Sequence, residues 1–261
     1  FNYRSFSINK CNELSNGNLE NWFNSMSFCD YIYIYDQASD DGSCEYYKKH
    51  DNTVVIESPV NDLQRSISCK GVLLDKILSD HPDTEWIFWI DGDTILDGRL
   101  LRNDAHEVYK LLEWGTKEQI DSFLLGHYNL WRSDVHYRVD NDYDWFHKNG
   151  RHAFLRNNGK LQFLDNGGGI HQAQFPRGLS RSVRIDRDLI HRGFATDEQI
   201  LNRFYLQKSF GELNDHNLYR MIDERTLAVK RLREDIIPDW YQISDTISPL
   251  EKEKLQVQQK D

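Results

Sequence analysis

The sequence predicts an α/β fold, a mixed but mostly parallel sheet flanked by helices, and three observations carry that prediction. Strand-like and helix-like segments alternate repeatedly between Ser5 and Ile90, the pattern of a parallel sheet wrapped by helices. Trp86 to Ile90 is short, wholly apolar and rich in aromatics and isoleucine, as a strand buried on both faces should be. That run stops at Asp91-Gly92-Asp93. Unpaired carboxylates cannot stay in a core. The two acids must therefore emerge at the carboxyl edge of the sheet, where open α/β folds bind ligands.

The elements follow in order. Ser5–Ile8 reads as a first strand, and Asn9 to Asn18 as a polar, turn-rich loop. Leu19, Trp22, Phe23 and Met26 recur at helical spacing, so Leu19–Phe28 should be an amphipathic helix. Tyr31–Tyr35 alternates Tyr and Ile as a strand, stops at Asp36, and gives way to a loop from Gln37 to Ser43. A short helix over Cys44–His50 and a strand over Thr53–Ile56 follow, ended by Ser58-Pro59. Leu63–Leu78 reads as a longer helix, closed by His81-Pro82 because proline disfavours helix before it. Polar residues recur at the strand ends: Asn12, Asp36, the region before Arg65, then Asp91 and Asp93. Polar strand ends on one sheet edge are the layout of a nucleotide site.

The second half is less regular. Ala105–Trp114 reads as a helix and Ser122–Leu130 as a strand, with His127 and Tyr128 near its end. Asp134 to Asn149 is dense in aromatics and acids, among them Tyr137, Asp142, Asp144, Trp145 and His147. Ala153–Leu164 reads as a hairpin about Asn157-Asn158-Gly159. A glycine-rich turn covers Asp165 to Gly169, followed by Ile170-His171-Gln172. Thr196 should cap a helix running to Lys208. A further helix is expected over Leu218–Leu232, and a peripheral polar tail from Ile236 to Asp261.

Composition narrows the function classes. The chain has 261 residues, 39% hydrophobic and 28% charged, which describes a folded globular protein. A net charge of −10 argues against nucleic acid, which needs a basic footprint. Aromatics at 13% suit a cleft that stacks on sugar faces, although cores use them too. Cys11, Cys29, Cys44 and Cys69 fit no zinc spacing, so free thiols in a reducing, cytoplasmic setting are expected. No apolar stretch approaches the roughly 20 residues of a membrane span, and no secretory signal is legible.

Several segments, taken in order, resemble the glycosyltransferases of the GT-A fold, especially the large inverting family 2. Asn12-Glu13 with the Leu19–Trp22 helix resembles that family's first strand–helix unit. Asp36-Gln37-Ala38-Ser39-Asp40-Asp41-Gly42-Ser43 resembles its second strand end, and Asp91-Gly92-Asp93 its DxD motif. The segment at Gln64-Arg65 resembles the one carrying a diphosphate-contacting Arg. Arg156 to Gln172 and His191-Arg192-Gly193-Phe194 resemble late segments of lipopolysaccharide-core transferases. Two positions depart from the pattern: Gln37 stands where a second acid is common, and Gln172 where many relatives have Glu. Other features, Glu85 to Thr94 and Asp197-Glu198-Gln199, are similar to some retaining GT-A enzymes.

The resemblance implies one catalytic domain over residues 1–235, with a nucleotide-sugar half over 1–100 and an acceptor half over 101–235, free-standing or part of a larger multidomain protein. It implies a metal-dependent transferase that moves a sugar, with inversion, from a nucleoside-diphosphate sugar to a hydroxyl of a glycan acceptor. The cofactor would be Mn²⁺ or Mg²⁺. Two acids flanking a glycine can share such a hard cation. Asp93 would be the direct ligand, Asp91 would meet the ribose or a water on the ion, and His191 would be the third protein ligand. Asp36 would bind base or ribose, Arg65 the diphosphate, and Asn12 lies near the same edge.

Inversion needs a general base on the acceptor side. Asp165, beside the glycine run, is the first candidate, with Asp144 and Asp142 behind it. Trp131, Tyr137, Trp145 and Phe146 are candidates for stacking on acceptor sugars, and His171 is a further site candidate. A haloacid-dehalogenase-type phosphatase is disfavoured, because Ile95 follows Thr94 and its motif belongs on a first strand. A pyrophosphorylase is disfavoured by the lack of a glycine- and lysine-rich loop at the first strand. A retaining GT-A transferase and a catalytically silent GT-A module remain as alternatives.

Overall fold

A computed structural model describes residues 3–9, 17–60, 66–139, 147–163, 176–209 and 229–241. Ten strands are described: β1 (Tyr3–Asn9), β2 (Tyr31–Gln37), β3 (Thr53–Ser58), β4 (Trp86–Trp89), β5 (Thr94–Leu96), β6 (Ser122–Asn129), β7 (His136–Arg138), β8 (Arg151–Arg156), β9 (Ser182–His191) and β10 (Val229–Arg231). Five helices accompany them: α1 (Leu19–Ser25), α2 (Ser43–Tyr47), α3 (Ser66–Asp80), α4 (Gly98–Lys117) and α5 (Asp197–Ser209).

Parallel neighbours need crossover connections, and the first three helices supply them. β1 pairs in parallel with β2 on one side and β4 on the other, and β3 extends the sheet beyond β2. β8 runs antiparallel between β4 and β6, β9 lies parallel to β6, and β5 closes the far edge antiparallel to β9. The order is β3-β2-β1-β4-β8-β6-β9-β5, an α/β fold with a mixed sheet flanked by helices. β7 and β10 form a separate two-stranded ribbon. These directions bring the carboxyl ends of β1, β2, β4, β6 and β9, and the amino ends of β5 and β8, to one edge.

β4 is buried along its whole length. Its alternating side chains feed two different cores, as the period of two requires. Trp86 and Phe88 join Trp22, Phe28, Phe123 and Phe154 on one face, with Phe88 stacked on Phe154 at 4.6 Å. Ile87 and Trp89 join Leu73, Ile77 and Phe163 on the other. A side chain of this size buried in full contributes about 1.5–3 kcal/mol. A third cluster, of Ile95, Tyr128 and Ile190 with Ile236, Ile237 and Tyr241, lies beside the β5 edge.

The structure departs from the sequence reading in several places. Residues 160–163 do not fold back on β8 as a hairpin, because β4 and β6 already occupy both of its edges. Gly159 does make the expected turn, at φ +73°. Residues 229–231, expected at the end of a helix, are strand β10 paired with β7, and residues 211–228 lie outside the described residues. The segment read as a peripheral tail begins with packed residues, since Ile236, Ile237 and Tyr241 are buried. Gly98 shows how close that contact is: a Cβ there would lie 2.8 Å from the Ile237 carbonyl. α4 starts earlier than expected and is interrupted at Arg102–Ala105, where Asn103, Asp104 and Ala105 take positive φ. Cys29, Cys44 and Cys69 are buried and outside any disulfide, and Cys11 lies outside the described residues. No helix among the described residues is long and apolar enough to cross a membrane.

Candidate active site

The acids at the end of β4 are placed by a reversal of the chain. The Thr94 amide donates to the Asp91 carbonyl (3.0 Å), turning Asp91-Gly92-Asp93 back into β5. β5 then pairs with β9 so that Thr94 stands opposite His191, and the Arg192 amide donates to the Asp93 carbonyl (2.8 Å). This register carries Asp93 to the end of β9.

Buried charge locks the register at the other end of β5. The Asp188 amide donates to Asp97 Oδ2 (3.0 Å), and Arg99 Nη2 bridges the Asp97 and Asp188 carboxylates at 2.6 and 3.0 Å. Burial and the neighbouring Asp97 charge push Asp188 up to about 6. Gly126 leaves the room, because a Cβ there would fall on the Asp188 carboxylate.

Asp93 and His191 are both buried, and Asp93 Oδ2 faces His191 Nε2 at 3.1 Å. On the other side of the ring, His191 Nδ1 lies 2.9 Å from Asn129 Oδ1, its register partner on β6. Burial pushes the His191 pKa down, against the pull of Asp93. A neutral imidazole that donates Nδ1–H to the Asn129 oxygen turns its Nε2 lone pair toward the carboxylate. With the proton on Nε2 instead, the ring donates to the Asp93 carboxylate. Arg203 Nη2, from α5, donates to the same oxygen at 2.8 Å.

Asp91 is held differently. Its Oδ2 accepts from Arg151 Nη2 (3.0 Å), at the amino end of β8, and Arg151 Nη1 donates to His127 Nε2 (3.1 Å). Burial, then the Arg151 charge, pushes His127 well below the ordinary histidine range, so it accepts as a neutral ring. The His127 and His191 rings stand 4.9 Å apart. Asp36, next to last in β2, lies on the same sheet edge. Its oxygens accept from the Ser39 amide (2.9 Å) and hydroxyl (2.7 Å), which folds the following loop.

The residues fit a hard divalent ion in part. Among the described residues no group of three or more His, Cys, Asp or Glu side chains forms a metal cage. Asp93 and His191 do present a carboxylate oxygen and an imidazole nitrogen 3.1 Å apart, close to the roughly 3 Å between adjacent ligands of an octahedral ion with bonds of about 2.1 Å. Gly193 keeps the space beside them clear. A Cβ there would lie 2.8 Å from Asp93 Oδ2 and 2.7 Å from both His191 Cε1 and Arg203 Nη2. Ions of the Mg²⁺ type commonly take one or two carboxylates and complete their shell with substrate phosphates and water.

Of the residues singled out from sequence, the fold brings Asp91, Asp93 and His191 together and sets Asp36 on the same edge. Asn12, Arg65, Asp142, Asp144, Trp145, Phe146, Asp165, His171 and Gln172 lie outside the described residues. Trp131 is buried rather than exposed as a platform, with the Arg138 guanidinium 4.3 Å over its ring. Tyr137 packs on Tyr128 at 4.3 Å. Sequence reasoning missed Asn129, Arg151 and Arg203, and it named Gly193 only as part of the His191 motif. Asn129 carried a faint signal, as a polar residue at the end of an apolar strand.

No family model matches the chain. No curated protein matches it either. Among solved structures it is similar to HddC from Yersinia pseudotuberculosis, at 11% identity over 77% of this chain and 97% of that one, with a TM-score of 0.41. It is also similar to A197 from STIV, at 12% identity over 73% and 85%, with a TM-score of 0.37. A UDP-glucose pyrophosphorylase complexed with UDP-glucose is similar at 8% identity over 90% and 91%, with a TM-score of 0.31. Likenesses this distant concern the fold alone, and the α/β assignment rests on the strand order itself.

Proposed function

We propose that the chain is a metal-dependent glycosyltransferase of the GT-A type, moving a sugar from a nucleoside-diphosphate sugar to a hydroxyl of a glycan acceptor with inversion. One observation carries the reading: a carboxylate from the DxD turn and an imidazole from the end of β9 meet at the ligand-binding edge of the sheet, 98 residues apart in sequence. In this reading Asp93 and His191 hold Mn²⁺ or Mg²⁺, and Asp91 stands beside them. The ion, when bound, supplies Lewis-acid stabilisation of the departing diphosphate.

The protein's own groups do the rest. Asp91, oriented by Arg151, turns to the ribose. Asp36 serves the base or ribose, Arg65 forks onto the diphosphate, and Asn12 borders the same cleft. Asp165, with Asp144 and Asp142 as the other candidates, takes the proton of the acceptor hydroxyl. The acceptor oxygen bonds to the anomeric carbon as the bond to the diphosphate oxygen breaks, and that oxygen keeps the electron pair. Asp93, from residues 1–100, and His191, from residues 101–235, would hold the ion between them. This single domain works in a reducing compartment such as the cytoplasm, alone or within a larger protein.

The test is a panel of sugar nucleotides titrated with and without Mn²⁺, reading binding by calorimetry and slow donor hydrolysis. Mn²⁺-dependent binding with hydrolysis supports the transferase. One observation favours a second reading, a silent module: Asp93 is already ion-paired to Arg203. That reading predicts binding of a sugar nucleotide with no hydrolysis.

A further inference from the structure

Arg203 reaches from the middle of α5 to the carboxylate that the transferase reading gives to a divalent ion. Its Nη2 lies 2.8 Å from Asp93 Oδ2, the oxygen that also faces His191 Nε2. The guanidinium rests 4.9 Å over the Phe194 ring. The start of α5 is fixed independently of this contact. The Thr196 hydroxyl accepts from the Gln199 amide, the Gln199 side chain accepts from the Thr196 amide, and Asp197 pairs with Arg132 at 2.9 Å. Arg203 can therefore leave Asp93 by side-chain rotation while its helix stays in place. Gly193 leaves room beside Nη2, where a Cβ would stand at 2.7 Å.

We propose that Arg203 is an internal counter-ion that a divalent ion must displace from Asp93, and that the displaced guanidinium then pairs with the nucleoside diphosphate arriving with that ion. The inference rests on the metal-dependent reading and adds an order to it. An ion on Asp93 Oδ2 and Arg203 on the same oxygen would set two positive charges side by side. An ion arriving alone gains Asp93 and His191 but breaks the Arg203 pair. An ion arriving with a diphosphate gives Arg203 a new partner, since the guanidinium fork matches phosphate as well as carboxylate. Ion and nucleotide therefore bind cooperatively, each weakly without the other.

The experiment measures Mn²⁺ alone, and Mn²⁺ with UDP, GDP or CDP in turn, by calorimetry on the whole chain and on Arg203→Gln. Removing the competing cation should tighten Mn²⁺ alone by roughly five-fold or more, while the best diphosphate weakens by about ten-fold or more, on the scale of ordinary coupling between sites. Opposite signs for the two ligands are what a merely structural role cannot produce. Equal Mn²⁺ affinity in both proteins, or weaker Mn²⁺ binding by the variant, overturns the proposal. If Arg203→Gln does not fold, Arg203→Lys carries the test. It should keep the wild-type Mn²⁺ affinity and lose diphosphate affinity, and unchanged diphosphate affinity overturns the proposal. A wild-type chain that binds no nucleoside diphosphate with Mn²⁺ sinks the transferase reading and the diphosphate half of this proposal. The comparison with Mn²⁺ alone still decides whether Arg203 and the ion compete.

Discussion

Asn129 and His191 stand opposite each other on β6 and β9, and the amide oxygen of the first lies 2.9 Å from Nδ1 of the second. That contact leaves Nε2 as the ring nitrogen facing Asp93. Partners of this kind orient an imidazole and raise its basicity as a ligand.

Asn129→Ala should therefore weaken Mn²⁺ binding in the presence of a nucleoside diphosphate by about 10–100-fold, the usual cost of losing such a partner. Calorimetry reads it. Thermal melting should show that the fold survives, because the residue sits at a strand end. Full Mn²⁺ affinity in the variant would mean that the Asn129 contact does not support a metal ligand.

Gly193→Ala tests the cleared space. The new methyl would press on Asp93 Oδ2, His191 Cε1 and Arg203 Nη2, all under 3.0 Å away. Overpacking of this kind costs about 1–3 kcal/mol. A folded variant with a lowered melting temperature and at least ten-fold weaker Mn²⁺ binding is expected, on the scale of one perturbed ligand partner. Unaltered metal binding would show that the space serves only packing.

The edge of the sheet opposite the site has its own electrostatic staple. Asp121 accepts from the Ser180 and Arg181 amides and from Arg156 and Asn158, tying β6 to the ends of β8 and β9. Burial alone would raise its pKa, but these hydrogen bonds outweigh it and take the carboxyl down from 3.8 to about 2. A depressed folded-state pKa contributes stability that is present above the unfolded value and lost as pH falls toward the folded one. The melting temperature should thus drop between pH 4 and pH 2, more steeply in the wild type than in Asp121→Asn. Parallel curves would remove Asp121 from the acid response.

The first half of the fold was legible because its strands are short and apolar and its helices periodic. β4 is the clearest case, since a strand buried on both faces leaves an unbroken apolar run. β9 was not recognised because its outer half carries Arg184, Asp186, Arg187 and Asp188, and only Val183 and Ile185 mark the alternation. The acids at Asp91 and Asp93 were legible as a strand end. Their partners were not, because Arg151 and Arg203 reach them only through sheet order and register, which no local pattern states. The resemblance that led to His191 worked on a motif, whereas Asn129 needed the β6–β9 pairing.

The central claim is that Asp93 and His191 together hold the ion that a nucleoside diphosphate requires. The most direct measurement is Mn²⁺-dependent hydrolysis of the best-binding sugar nucleotide by wild type and Asp93→Ala. Loss of one electrostatic stabiliser predicts a fall of roughly 10²–10³-fold or more, with Mn²⁺ no longer enhancing nucleotide binding. Near-normal hydrolysis that still responds to Mn²⁺ would contradict the account.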